Sequence, residues 1–578
     1  MASHKLIIYQ LLPRLFGNTN TTNQAWGTLA ENGSGKLADV NDAALEGIKT
    51  LGATHVWYTG LPEHATMTDY AAQGIRPDDP AVVKGRAGSP YAVKDYYDVD
   101  PDLAISVPNR MAEFAALVSR THAHGLKVIV DFVPNHVARQ YWSDAKPADI
   151  KDLGEGDDVR QAFSPENNFY YLPGTTFVAP FVPGSIDADT PLTNSAPPIH
   201  EAPARVTGSG SITEAPNIDD WYETIKLNYG YDVFDGSFHP APTASADRPS
   251  TWVKMRDILL FWARKGVDGF RCDMAHLVPV AFWKWVTTSV RAAYPDLIFI
   301  AEIYDPSLYQ TYIFEGGFDY LYDKVGLYDS LRRLTEGHGS CYDITRVWQN
   351  ESGEFAEHML RFLETHDEQR ITSSFFATDP RRAIPAMVVT ATLHTGPYLL
   401  YFGQEVGVRG EEAEGFSGHD GRTTIFDYWG ITDWQGYVNH HRYDGAGLTQ
   451  EQGELRAVYA KLGQLISQSP AIQTGSFYDL QWANQYTPNY NSHLVYSYLR
   501  HTEHQKTLIV CNFDSANSLS ANIFIPEHAL LLLGKTMAQS LRWVDQFLTN
   551  DAVTGNGHSG FRVEIPPLGV RVYQLDIH

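Results

Sequence analysis

The sequence predicts an α/β protein: a (β/α)₈ TIM barrel with a small domain inserted after its third strand and a C-terminal antiparallel β domain. Three observations predict it. Short β-like runs alternate with helix-period segments through the first four-fifths of the chain, giving eight units. The stretch after the third run is rich in Pro, Gly and aromatics and interrupts that alternation, as an insertion in a barrel loop would. From about Ala471 onward, the chain contains strand-like runs separated by turn residues.

The eight candidate strands are Leu6–Gln10, His55–Tyr58, Lys127–Phe132, Val267–Arg271, Leu297–Glu302, Phe318–Leu321, Leu360–Thr365 and Tyr398–Phe402. Between them, Met111–His124, Trp252–Lys265 and Ala281–Tyr294 carry apolar residues at helical spacing, and the first two are closed by Gly125 and Gly266. A doubly wound sheet is the alternative fold. It wants a Gly-rich phosphate turn after the first strand, and none is present there. The divisions that follow are 1–136 with 229–470 for the barrel, 137–228 for the inserted domain and 471–578 for the β domain. The runs His493–Tyr498, Thr507–Asn512 and Val570–Leu575 belong to the last of these.

Composition narrows the function. The 578 residues are 43% hydrophobic and 12% aromatic, enough for large cores and against disorder. Lys plus Arg number 44 against 68 Asp plus Glu, a formal net charge of −24. Such a surface repels phosphate backbones and anionic lipid, so nucleic acid and membrane are poor partners while a neutral substrate meets no penalty. The three cysteines, Cys272, Cys341 and Cys511, have no metal-ligand spacing and read as reduced thiols of a cytoplasmic protein. The start, Met-Ala-Ser-His-Lys, shows no secretory pattern, unless a leader was removed ahead of it. No apolar run approaches a membrane span.

Chemistry concentrates at the predicted C-terminal ends of the strands, where barrel active sites sit. The fourth strand runs into Gly269-Phe270-Arg271-Cys272-Asp273, and residues two apart emerge on one face of a strand. Beside a fixed cation Asp273 is expected to stay ionised, as a nucleophile requires, although a structural Arg-Asp pair at a barrel rim explains these two residues equally well. The third strand adds Asp131 with Asn135-His136, the fifth Glu302, and the seventh His366-Asp367. Taken singly each has an ordinary structural explanation. Their coincidence at equivalent strand ends points to a catalytic mouth.

These motifs resemble those of glycoside hydrolase family 13, the α-amylase family. Asp131-Phe-Val-Pro-Asn-His136, Gly269-Phe-Arg-Cys-Asp273, Ala301-Glu302-Ile303 and Phe362-Leu-Glu-Thr-His366-Asp367 resemble its four ordered signatures, and Ile8 to Phe16 its first strand. Lys226-Leu227-Asn228 is similar to a short motif of the neopullulanase and cyclomaltodextrinase branch. The resemblance implies a retaining enzyme with Asp273 as nucleophile, Glu302 as general acid/base and Asp367 stabilising the transition state. It further implies that Arg271 orients Asp273, that His136 and His366 bind sugar hydroxyls, that Tyr91 stacks on the sugar ring, and that Asp131 and His276 complete the binding set. Trp142, Trp221, Tyr170 and Tyr171 are expected to divide between sugar stacking and the core of the inserted domain. Gln404-Glu405, after the eighth strand, reads as architectural.

Two departures from the family pattern bear on specificity. Ser89-Pro90 stands where His-Gly usually precedes the tyrosine, and His276-Leu277 where Lys-His usually follows the nucleophile. Both alter sugar contacts, which favours short maltooligosaccharides or glucan transfer over random internal cuts in long starch. In many relatives Asn135 binds calcium, and Asn18, Asn20 and Asn23 in the first loop add oxygen ligands of the type calcium takes. No organic cofactor is expected. The expected activity is hydrolysis of α-1,4-glucosidic bonds, the alternatives being a 4-α-glucanotransferase with the same three carboxylates and a non-catalytic glucan-binding homologue. Oligomeric state is left open.

Overall fold

A computed structural model describes residues 5–180, 192–239 and 250–576. Eight parallel strands form one sheet: β1 (Ile7–Leu11), β2 (His55–Tyr58), β3 (Lys127–Phe132), β4 (Gly269–Cys272), β5 (Ile298–Ala301), β6 (Tyr320–Tyr322), β7 (Met359–Leu360) and β8 (Tyr398–Tyr401). They run β7-β6-β5-β4-β3-β2-β1-β8. A parallel bridge between Arg361 and Tyr398, with Leu399 N donating to the Arg361 carbonyl at 2.8 Å, closes the barrel. The eight expected strands are all present; seven differ by at most two residues at either end, while the seventh is only Met359–Leu360 against an expected Leu360–Thr365.

Strands β1, β4, β7 and β8 are buried from end to end, and the others are buried beyond their first residue, because helices cover their outer faces and side chains fill the inside. Gly269 opens β4 for a steric reason. A Cβ there would lie 2.5 Å from Ile298 Cγ1 on β5, so the two strands approach this closely only with glycine. The helix Arg110–Ala123 buries Phe114, Leu117, Val118 and Thr121, a stripe at three- and four-residue spacing, and Gly125 at φ +73° ends it.

After β3 the chain enters the inserted segment through a short strand, His136–Ala138, paired antiparallel with Thr224–Lys226 on the way out. Part of that segment, and the stretch before helix Ser250–Arg264, lie outside the described residues, as do the expectations made for Met1–His4. At the C-terminal end, strands Ser476–Asp479, Val495–His501, Lys506–Asn512, Val570–Leu575, Leu541–Asp545 and Ala552–Gly555 form a six-stranded antiparallel sheet in that order. A two-stranded sheet, Leu519–Ile523 with Phe561–Ile565, shares its second core. The other face of the large sheet packs on the barrel: Tyr496, Tyr498, Ile509 and Cys511 join the barrel core, and Arg500 Nη1 donates to the Thr392 carbonyl at 2.7 Å.

Candidate active site

At the C-terminal mouth of the barrel, Arg271 is completely buried and serves as the hub. Its Nη1 lies 2.7 Å from Asp273 Oδ1 and 3.6 Å from Asp131 Oδ1, and its Nη2 lies 2.8 Å from Glu302 Oε2. Its Nε donates to Tyr322 Oη at 3.1 Å. The rings of Trp57 and Tyr91 each sit 5.3 Å from the guanidinium carbon, so aromatic faces supply the rest of its surroundings. One guanidinium therefore orients carboxylates from β3, β4 and β5.

The carboxylates differ in their surroundings. Glu302 is 3% exposed; its Oε2 accepts from Met274 N at 2.9 Å and its Oε1 from Tyr304 Oη at 2.6 Å. Burial, with Asp273 and Asp367 adding to it and Arg271 opposing, pushes Glu302 up to about 7. Burial acts on Asp367 in the same direction, but His366, 3.0 Å away through Nε2, and Arg271 and Arg422 outweigh it and bring Asp367 to about 2. Asp273 departs from expectation. Burial exceeds the pull of Arg271, and Asp367 and Asp131 add repulsion, so its carboxyl is raised above the ordinary range instead of being held down by its cation.

Around these groups lies a cavity of about 350 Å³, walled by Asp273, Glu302, Asp367, Tyr91, His136, Ser89, Met274 and Tyr304 on the barrel side. Trp221, Glu223 and Thr224 from the inserted segment, Lys84, and the loop residues Ile425 and Phe426 complete the wall. Hollows of about 420 and 500 Å³ exist elsewhere, the first at the N-terminal ends of the strands around Lys5 and Asp319, far from these carboxylates.

The remaining expected residues fall into three groups. Tyr91 and His136 face the cavity. Tyr91 Oη lies 2.5 Å from His366 Nε2 and 3.3 Å from Asp131 Oδ1; its ring stacks on His366 with centroids 5.2 Å apart. Burial holds His136 at about 4, hence neutral, with Trp221 5.3 Å from its ring. Asp131 and His366 stand behind Tyr91. Trp57 Nε1 donates to Asp131 Oδ2 at 3.1 Å, and Gln10 Nε2 lies 2.7 Å from His366 Nδ1. His276 is outside the cavity wall, because Met274 adopts a left-handed conformation (φ +40°, ψ +44°) and turns the chain away into the 3₁₀ turn Ala275–Leu277.

Calcium at Asn135 does not fit. Lys226 Nζ donates to Asn135 Oδ1 at 2.5 Å, so an ammonium already occupies the position a metal would take. Asn135 Nδ2 donates to the Gly208 carbonyl at 2.8 Å, and a Cβ on Gly208 would sit 2.3 Å from Thr224 Oγ1 and 2.9 Å from His136 Cβ. Nor are the side-chain oxygens of Asn18, Asn20 and Asn23 free: Asn18 Oδ1 accepts from Asn20 N at 3.1 Å, Asn20 Oδ1 from Thr22 N at 2.8 Å, and Asn23 Oδ1 from Gly430 N at 2.8 Å. They are loop fasteners. Among the aromatics, Tyr170 and Tyr171 are buried, Trp221 lines the cavity and Trp142 is half exposed. Glu405 is architectural, accepting from Tyr9 Oη at 2.7 Å inside the barrel.

Sequence reasoning missed Tyr304, Tyr322, Trp57, Lys84, Glu223 and Phe426. Tyr304 and Tyr322 lie at strand ends where such a signal was available. Lys84, Glu223 and Phe426 come from loops, whose spacing carries none.

The family model for the α-amylase catalytic domain matches residues 10–433. Neopullulanase 2 of Thermoactinomyces vulgaris is 21% identical over 417 residues, covering 70% of this chain and 57% of that protein, so the match spans little more than half the relative's length. Cyclomaltodextrinase of a Bacillus species is 22% identical over 523 residues, 88% of this chain and 73% of that one. A noncanonic maltogenic α-amylase from Thermotoga neapolitana shares the fold over 100% of both chains, with a TM-score of 0.63 and 18% identity.

Proposed function

The chain belongs to the α-amylase family, and from that membership we propose that it is a retaining glycoside hydrolase cleaving α-1,4-glucosidic bonds in maltooligosaccharides or related α-glucans. The observation that carries this reading is Arg271 touching Asp273 and Glu302 at once, 2.7 and 2.8 Å away, at the edge of a cavity that Asp367 completes. A guanidinium shared in this way keeps two carboxyls close, as the ~5–5.5 Å spacing of retaining enzymes requires and the ~6.5–9.5 Å of inverting ones does not. Ser89, which lines the cavity beside Tyr91 where the family usually has a histidine, supports short substrates.

In the first step a carboxylate oxygen of Asp273 attacks the anomeric carbon while Glu302, neutral below about 7, gives its proton to the departing glycosidic oxygen. Asp367, ionised down to about 2, stabilises the positive charge that develops on the ring. Glu302, now a carboxylate, takes a proton from the incoming water, whose oxygen displaces Asp273. Tyr91 presents its ring to the sugar, and His136, neutral, offers ring nitrogens to its hydroxyls.

Transfer to a sugar acceptor is the second reading, and the wall favours it. Trp221, Phe426, Ile425 and Met274 give the cavity an apolar side on which an acceptor ring can lie in place of water. Time courses on maltotriose and maltoheptaose distinguish the two, because only transfer makes products longer than the substrate. No products from either would overturn both. For the compartment, the buried free thiols Cys272, Cys341 and Cys511 fit a reducing cytoplasm, and no described helix is long and apolar enough to cross a membrane. Recovery of the protein from a periplasmic or culture fraction would count against that placement.

A further inference from the structure

After β2 the chain forms a strand, Pro62–His64, paired antiparallel with Val93–Val99, and the loop between the two supplies Lys84 to the cavity wall. Lys84 is the one lysine or arginine among the described residues that line the cavity. Its Nζ lies 3.3 Å from Glu223 Oε1 on the inserted segment, and 5.6 and 5.4 Å from the ring centroids of Phe416 and Phe426. The Lys84 side chain is 15% exposed, that of Glu223 only 4%. Both backbones are fixed. The Glu223 carbonyl accepts from Arg139 N at 2.8 Å, which continues the pairing of His136–Ala138 with Thr224–Lys226. Next to Lys84, Gly85 (φ +69°) packs against Phe426: a Cβ there would lie 2.3 Å from the Phe426 carbonyl oxygen, to which Ala87 N donates at 2.9 Å.

This arrangement leaves hydrogen-bonding capacity unused. A lysine ammonium has more donors than one carboxylate oxygen can take, and among the described residues Glu223 is its only ion-pair partner. The aromatic faces attract the cation without accepting ordinary hydrogen bonds from it. Glu223 Oε2 has no hydrogen-bond partner, so Lys84 is what this carboxylate holds. Ser89 stands beside Tyr91 where the family usually carries a histidine, and Lys84 returns a long polar side chain to the same loop. We propose that Lys84 determines specificity by donating from its ammonium to hydroxyl oxygens of a glucose unit in the cavity, and that Glu223 is the positioning residue that holds it there. The inference rests on the reading of the protein as an α-glucan hydrolase. A charge-assisted hydrogen bond is about twice as strong as a neutral one, and a donor fixed in advance loses little freedom when it binds. Because Lys84 pairs with none of the three reacting carboxylates, its contact is made with the ground state and the transition state alike, and it acts on KM more than on kcat.

The test is initial rates of the full-length protein on maltotriose. Lys84→Met keeps the aliphatic stem and removes the charge; KM is expected to rise about tenfold or more, with kcat changed by less than about threefold. Lys84→Arg should keep KM within about threefold of the parent, and Glu223→Gln, which leaves the ammonium but loosens its hold, should raise KM by less than Lys84→Met does. An unmoved KM in Lys84→Met overturns the proposal, even if the thermal midpoint falls, because Lys84 is then only a fastener between loops. A loss confined to kcat overturns it too. If Lys84→Met does not fold, Glu223→Gln decides by the same readout. A parent protein that makes no product from maltotriose overturns the hydrolase reading and this inference with it, whereas a working parent with an unmoved KM in Lys84→Met overturns the role of Lys84 alone.

Discussion

Strand β4 and the strand Phe561–Ile565 of the C-terminal domain each carry an arginine, and they handle it in opposite ways. Phe561–Ile565 reads Phe-Arg-Val-Glu-Ile with strict alternation: the apolar residues are buried, while Arg562 and Glu564 face solvent. β4 reads Gly-Phe-Arg-Cys and is buried at every position, Arg271 included. In the first strand, placing charge in water has no desolvation penalty. In the second, an ion is held inside a barrel, and burying ions is often no better for stability than packing apolar groups. A fold retains such an arrangement where the charge has work to do.

The largest effect expected from breaking this contrast is on chemistry. Asp273→Asn removes the nucleophile while conserving shape, so turnover of maltotriose should fall by about 10⁴-fold or more, with an unchanged circular dichroism spectrum. An active variant would return the Arg271–Asp273 pair to a structural role. Arg271→Met leaves Asp273, Glu302 and Asp131 buried without their shared cation, and urea unfolding should show a loss of about 3–5 kcal/mol together with loss of activity. Phe561→Ala, in a fully buried position of the C-terminal core, should lower stability by a similar ~3–5 kcal/mol and leave the pH dependence of activity untouched.

Smaller effects sharpen the comparison. Because Glu302 is raised to about 7 and must be protonated to act, kcat/KM should decline as pH rises through that value. Tyr304 Oη donates to Glu302 Oε1 and so favours the carboxylate; Tyr304→Phe removes that donor and should move the decline to higher pH. A profile that stays in place would show that Tyr304 only fills space. Arg562→Ala, on the solvent face, should change neither activity nor stability by more than about 0.5 kcal/mol.

What was legible in the sequence follows from the same contrast. An apolar run that ends in a charged residue is visible to periodicity, and in this way Asp131, Arg271, Asp273 and Glu302 were found together with the strands that carry them. The alternation Phe561 to Ile565 is equally plain. Properties that depend on what stands opposite were not legible. Lys226 was visible as a motif residue, but not as the cation that fills the side-chain oxygen of Asn135. Asp273 was read beside its arginine alone, whereas burial and two neighbouring carboxylates reverse the direction of its shift. The turn at Met274 removes His276 from the cavity through backbone geometry, to which spacing arguments are blind. The cavity wall at Trp221, Glu223 and Phe426 comes from loops brought in by tertiary contacts.

The closure of the barrel has a consequence for synthesis. Inside the finished ring, Tyr9 on β1 bonds to Glu405, 396 residues away, and β1 pairs with β8 on one side. During translation at ~5–20 residues per second, β1 waits about 20–80 s before that partner leaves the ribosome. Throughout that time one flank of an almost wholly apolar strand lacks its neighbour, a ready template for pairing with another chain. Yield of the native protein should therefore depend on growth temperature and chaperone supply during expression more than its equilibrium stability would suggest.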